Sequence, residues 1–189
     1  LSAGFHAPSI FDLGGGFGVS YKGDAYAHPD DFAPVIALLT ANLQAMGVTI
    51  QLEPGRYIAA EAGTLVTRVR FVKHSGGLRL LIVDSAMNNL LRPALYQAFH
   101  PITLLRATTA GTSPASIVGP ICESSDAFAR DRMMPDDIEA GDVLAIEIAG
   151  AYGYVMSGTY NARDLLAEIL YDGANHTLIR KSLSAEALD

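Results

Sequence analysis

The chain of 189 residues holds a single cysteine, Cys122. One thiol cannot close an internal disulfide, which excludes a disulfide-built scaffold and points to a reducing, cytoplasmic setting. No basic run occurs and the net charge is −7, so neither a nucleic-acid partner nor an anionic membrane surface is expected. The longest apolar stretches, such as 34–39 and 143–148, are too short to span a bilayer. The five histidines are scattered without metal-ligand spacing, and no HExxH or Ser-His-Asp pattern is present. Internal repeats and low-complexity tracts are lacking. Residues 1–20 have no basic leader and contain a glycine cluster, unlike a secretory signal. Leu1 is not an initiator methionine, so a processed product, a fragment or the ordered part of something longer is expected.

What is present suits a packed protein. Half the residues are hydrophobic and 17% are charged, enough for one sizeable domain or two small ones. Ser9-Ile10-Phe11-Asp12-Leu13 reads as a buried strand entering Gly14-Gly15-Gly16. Pro29, Asp30 and Asp31 mark a helix start. Phe32, Val35, Ile36, Leu38, Leu39 and Leu43 continue at helical spacing until Gly47. Residues 48–52 form the next strand. Strand, loop, helix, strand implies a parallel pair.

The rhythm then changes to short strands separated by Gly, Pro and Asp, at 64–73, 79–84, 102–107, 116–121 and 142–149. In 64–73, Leu65, Val69 and Phe71 are expected on one side, with Thr67, Arg68 and Arg70 on the more polar one. A short amphipathic helix is predicted over 163–171, a last strand over 176–181, and a frayed tail over 182–189.

Several strings carry candidate chemistry. Gly14-Gly15-Gly16 lets backbone N–H groups approach an anion closely, although a tight turn needs the same residues. Gly14, Gly16 and Gly18 do not follow the dinucleotide fingerprint. Glu53-Pro54-Gly55-Arg56 places a carboxylate at a strand end and a guanidinium three residues on; the plainer alternative is an exposed pair on a loop. Arg92 and Tyr96 form a third group, with a strand-capping arginine as the alternative. Cys122 and Glu123 form a fourth, and a lone cysteine is often just a small buried hydrophobe. Tyr152 lies in Gly150-Ala151-Tyr152-Gly153.

These strings occur in one order: Asp12-Leu13-Gly14-Gly15-Gly16-Phe17-Gly18, Glu53-Pro54-Gly55-Arg56, Asn89 to Tyr96, Gly119-Pro120-Ile121-Cys122-Glu123-Ser124-Ser125-Asp126, and Gly150-Ala151-Tyr152-Gly153. In that order, over 11–170, they resemble the alanine-racemase-like, fold-type III decarboxylases that use pyridoxal 5'-phosphate (PLP), and among them the diaminopimelate decarboxylase family. The resemblance implies an α/β plus all-β protein. Residues 1–62 would be the C-terminal part of a PLP-binding (β/α)8 barrel, and 63–189 a C-terminal β-barrel or sandwich. Two βα units are far short of the eight that close such a barrel.

It also implies a cofactor, PLP, and roles for named residues. Gly15, Gly16, Gly55, Arg56 and Tyr152 would hold the phosphate end, and Glu53 the pyridine nitrogen. Arg92 and Tyr96 would bind a substrate carboxylate, and Glu123 the distal amino group, with Arg56 and Tyr152 also against the substrate. Cys122 would give a proton across the interface of a homodimer with shared sites. The implied reaction is decarboxylation of meso-2,6-diaminopimelate to L-lysine in lysine biosynthesis. A related decarboxylase of a carboxylated polyamine or basic amino acid, and a non-catalytic homologue, remain alternatives. The lysines are Lys22, Lys73 and Lys181, and none stands where the family bonds its cofactor. The N-terminal half of the barrel, which would carry that lysine, is the missing partner. Tyr160-Asn161 resembles the family's following Tyr-Asn, but Arg163-Asp164-Leu165-Leu166 replaces its proline-containing stretch.

Overall fold

A computed structural model describes residues 8–24 and 28–188. The chain divides into two compact units, Leu1–Ala60 and Glu61–Asp189.

In the first unit, β1 (Ile10–Asp12) and β2 (Thr49–Gln51) pair in parallel through α1 (Pro29–Ala45). The helix starts where local chemistry dictates. The Asp31 carboxylate accepts the His28 N–H at 2.8 Å, and Pro29 fills the first turn, where no donor is needed. Gly47, at φ +79°, ends it. A short helix, α2 (Gly55–Ala59), follows β2. The apolar side of α1 is largely uncovered: Leu38 is 79% exposed and Leu39 73%. Among the described residues of this unit only Thr40, Val48 and Ala60 are buried.

The second unit is built on β3 (Leu65–Ser75), β4 (Leu78–Val83), β5 (Ile102–Leu104), β6 (Thr112–Val118), β7 (Ala127–Pro135) and β8 (Val143–Ile146). They form one sheet in the order β5-β8-β3-β4-β6-β7. All neighbours are antiparallel except β4 and β6, which are parallel. A parallel pair requires a crossover, and this one carries α3 (Arg92–Tyr96) and β5. Val69, Leu81, Val83, Ile117, Leu144 and Ile146 are fully enclosed and form the core with Leu90, Phe128 and Met134. The expectation of a sheet-rich domain is what this unit is; β5 and β7 are the two edges of its sheet.

Strand β1, expected to be buried, is exposed along its length, because among the described residues of its unit only β2 pairs with it. Three further local expectations need correction. In β3, Thr67 and Val69 face inwards, whereas Phe71 is 65% exposed. A register shift against β4 between Val69 and Phe71 turns the later side chains over. Thr67 is tolerated inside because its hydroxyl donates to Asp84 Oδ1 at 2.8 Å and accepts the Ser85 N–H at 3.1 Å.

The helix predicted over 163–171 does not form. Leu165 bridges Leu183, and β9 (Glu168–Tyr171) pairs with β10 (His176–Arg180) as a hairpin. Asp172 accepts the Ala174 and Asn175 N–H groups to build its turn, and Glu168 pairs with Arg180 across the strands. Cross-strand pairing outweighs the helical spacing of the apolar residues. The third correction is β7, a nine-residue strand where none was expected.

Candidate active site

Of the ten residues singled out, the first unit holds Gly15, Gly16, Glu53, Gly55 and Arg56. Here the two strings do meet. The Glu53 N–H donates to the Gly14 carbonyl at 2.8 Å, and the Gly55 N–H to the Glu53 carbonyl at 2.8 Å. A Cβ on Gly15 would lie 2.4 Å from the Glu53 carbonyl oxygen, so only glycine allows this approach. Gly16 has φ +88°. The Gly14 N–H is taken by Asp12 Oδ1 at 2.7 Å. Among the described residues, no hydrogen bond uses the Gly15 or Gly16 N–H. Glu53 is exposed, and Arg56 is half-buried on α2. A cavity of about 270 Å³ between the loop and α1 is walled by Leu13, Phe17, Phe32, Ile36, Leu39 and Leu52 besides the two glycines. It offers an anion only the glycine backbone.

The second unit holds Arg92, Tyr96, Cys122, Glu123 and Tyr152, and the parallel pair decides which of its loops meet. Leu80 lies opposite Ser116 and Ile82 opposite Val118, so the segments leaving β4 and β6 emerge at the same end of the sheet. One segment, 84–91, leads into α3 and Arg92. The other, 119–126, carries Cys122 and Glu123.

Asp126 clasps the two. Its Oδ1 accepts the Met87 N–H at 2.7 Å and its Oδ2 the Ile121 N–H at 2.8 Å, while its carbonyl takes the Gly119 N–H at 3.0 Å. A Cβ on Gly119 would stand 2.3 Å from Asp126 Oδ2. Burial pushes the Asp126 carboxyl above its ordinary range, against the two N–H bonds and the Arg163 charge, which favour the carboxylate.

Cys122 and Glu123 ride exposed on this clasped loop, so Cys122 is not a buried hydrophobe. The Tyr160 hydroxyl donates to Glu123 Oε2 at 2.9 Å, and that bond and the nearby charge push the phenol up. Glu123 and Tyr160 line a cavity of about 290 Å³ with Met87, Asn88, Leu91 and Met156. Among the described residues lining it, Glu123 is the only charged one. That chemistry suits a cation on an apolar stem.

Arg92 is not a surface cap: it is 8% exposed at the start of α3, with Nη1 3.1 Å from Nε2 of the fully buried His100. Tyr96 sits one turn on, 62% exposed. Tyr152 is 48% exposed at φ 58°, in a turn tight enough that a Cβ on Gly153 would meet the Ala149 carbonyl at 2.2 Å. Arg92, Tyr96 and Tyr152 are not among the described residues lining the Glu123 cavity. Asp126, Tyr160 and His100 were not among the ten. For Asp126 a signal existed, an acid closing the Cys122 string; His100 is one of the scattered histidines and gives none. Among the described residues no cluster suits a metal, and no helix is long and apolar enough to cross a membrane.

Residues 25–150 match the pyridoxal-dependent decarboxylase C-terminal sheet domain. The chain belongs to that family. It is 44% identical over 170 residues to diaminopimelate decarboxylase of Pseudomonas fluorescens, covering 90% of this chain and 40% of that protein. The crystal structure of AQ1208 from Aquifex aeolicus superposes with a TM-score of 0.91 at 40% identity, covering 98% of this chain and 45% of that one. Diaminopimelate decarboxylase from Helicobacter pylori, complexed with L-lysine, gives a TM-score of 0.84 at 44% identity over 95% of this chain and 43% of that one. The chain thus spans less than half the length of the proteins it matches.

Proposed function

We propose that this chain is part of a PLP-dependent carboxy-lyase that converts meso-2,6-diaminopimelate to L-lysine and carbon dioxide. The observation that carries the reading is that the chain presents both an acid, Glu123, and a base, Arg92, on clasped segments leaving neighbouring parallel strands, so that a homodimer with shared sites supplies one of each to every site. An amino-acid end bears one ammonium and one carboxylate, and reading it takes one charge of each sign. The likeness to a decarboxylase holding lysine, the product of this reaction, supports the same substrate.

When bound, PLP supplies the electron sink for the bond pair left as carbon dioxide departs. The residues present fit it: a glycine turn with no room for a Cβ at Gly15, packed against the backbone of Glu53, an acidic residue. Gly15 and Gly16 would offer backbone N–H groups to the phosphate, and Gly55, the Arg56 guanidinium and the Tyr152 hydroxyl would join them. The Glu53 carboxylate would keep the pyridine nitrogen protonated through a charge-assisted hydrogen bond. Arg92 and Tyr96 take the distal carboxylate and Glu123 the distal ammonium, with Arg56 and Tyr152 also against the substrate. The Cys122 Sγ gives a proton to the carbon that has lost its carboxylate.

In this reading residues 1–62 belong to a (β/α)8 barrel and 63–189 to the β domain. Cys122 and Glu123 serve the partner's site in a homodimer, and the cofactor-bonding lysine belongs to the part of the longer protein outside residues 1–189. The uncovered apolar side of α1 supports the first of these, since a barrel helix lies against neighbours.

The test is carbon dioxide and lysine release from meso-diaminopimelate by the full-length protein with added PLP. Preference for ornithine would overturn the substrate. Residues 1–189 alone are expected to show neither turnover nor borohydride-trappable PLP, and turnover by them would contradict the division of the site. Glu53→Gln is expected to keep PLP bound and lower kcat; an unchanged kcat would make Glu53 merely structural.

A further inference from the structure

His100 is 0% exposed, and both its ring nitrogens are engaged. Nδ1 lies 3.0 Å from the Glu147 carbonyl oxygen. A carbonyl only accepts, so Nδ1 carries the proton. Nε2 lies 3.1 Å from Nη1 of Arg92. A guanidinium only donates, so Nε2 presents its lone pair. Both partners therefore require the same neutral tautomer. A doubly protonated ring would turn an N–H towards a guanidinium N–H.

The surroundings reinforce this. Arg132 Nη1 donates to the His100 carbonyl at 3.0 Å, and its guanidinium lies 3.9 Å over the Phe99 ring. Burial first, then the charges of Arg92 and Arg132, disfavour a charged imidazole, against the bonds to the Glu147 and Ile148 carbonyls. The far side is anchored to the sheet edge, where the Glu147 N–H donates to the Pro101 carbonyl at 2.9 Å. Arg92 itself starts a helix of only five residues, with a long side chain that needs an external hold.

We propose that His100, uncharged and protonated at Nδ1, is the positioning residue that aims Arg92 at the substrate carboxylate; this rests on the substrate reading above. The hydrogen-bond chain runs from Arg92 Nη1 to Nε2 and from Nδ1 to the Glu147 carbonyl, so the end of β8 sets the direction of the guanidinium on α3.

The experiment is a kinetic comparison in the full-length enzyme with meso-diaminopimelate. His100→Leu is expected to raise KM roughly tenfold or more with kcat little changed, because Arg92 loses the Nε2 acceptor that directs Nη1. His100→Gln, whose amide oxygen restores an acceptor for Arg92, is expected to return KM to within roughly threefold. In an Arg92→Ala background His100→Leu should add nothing further. Equal KM effects in the presence and absence of Arg92 would overturn the proposal. An Arg92→Ala enzyme with unchanged KM would instead overturn the substrate reading. Nitrogen-15 shifts of the wild-type imidazole test the same point without any variant. The Nδ1–H neutral tautomer is expected at the assay pH, and a charged ring or the Nε2–H tautomer would contradict it.

Discussion

The two units bury their apolar residues to very different degrees. The second encloses a continuous core from Val69 on β3 to Ile146 on β8, and the buried Thr67 and Asp126 side chains near its loops are hydrogen-bonded. The first unit has a two-stranded sheet, a 17-residue helix and three buried residues among those described. A pair of three-residue strands cannot cover a helix face on its own. The difference teaches where order originates. The second unit's loops are held by its own sheet, whereas the first unit's apolar side chains await cover that its own described residues do not supply.

The largest expected effect is on the core. Leu81→Ala should destabilise the second unit by about 2–5 kcal/mol, whereas Leu38→Ala on α1 should change the stability of residues 1–189 by about 0.5 kcal/mol or less. Denaturant melts of both variants check this; equal losses would erase the contrast between the units.

A smaller effect tests the clasp. Gly119→Ala forces a methyl group against Asp126 and should cost about 1–3 kcal/mol. A melt unchanged from wild type would mean that the loop carrying Cys122 and Glu123 is held by something else.

Smaller still is the pH response of the buried histidine. His100 titrates below its ordinary 6.5 in the folded protein, so the unfolded chain binds more protons between the two values. Its contribution to stability is complete above about 6.5 and falls as pH drops through that window towards the folded value. Melts of wild type and His100→Gln from pH 7.5 to 5.5 should diverge in slope, with the wild type losing more; parallel slopes would mean His100 charges freely in the fold.

How much was legible in the sequence depended on how local the cause was. The βαβ order of the first unit was visible because its signals are local: Pro29, Asp30 and Asp31 at one helix end and Gly47 at the other. The sheet order was not, since parallel pairing of β4 with β6 is a long-range event with no local mark. Strand β7 hid because Asp131 at φ 49° and shifts in register against β6 break its alternation. Residues 163–171 have apolar spacing that suits a helix, yet β10 offers them a partner strand. Among site residues, the glycines and Glu53 were legible as a turn and an acid, and the structure brings them into contact. Asp126 and His100 were less so, because what each does depends on backbone groups contributed by distant segments, Met87 for one and Glu147 for the other.

The central claim is that Arg92 and Glu123 read the two charges of one amino-acid end. The most direct measurement is KM for meso-diaminopimelate in the full-length enzyme with Arg92→Ala, with Glu123→Gln, and with both. Each charge-assisted contact contributes about 1.5–3 kcal/mol, so each single variant should raise KM roughly tenfold to a hundredfold. Arg92→Ala should also narrow the preference over ornithine, because ornithine has no distal carboxylate to lose. An unchanged KM in either single variant, or an enzyme that prefers ornithine before any substitution, would contradict the account.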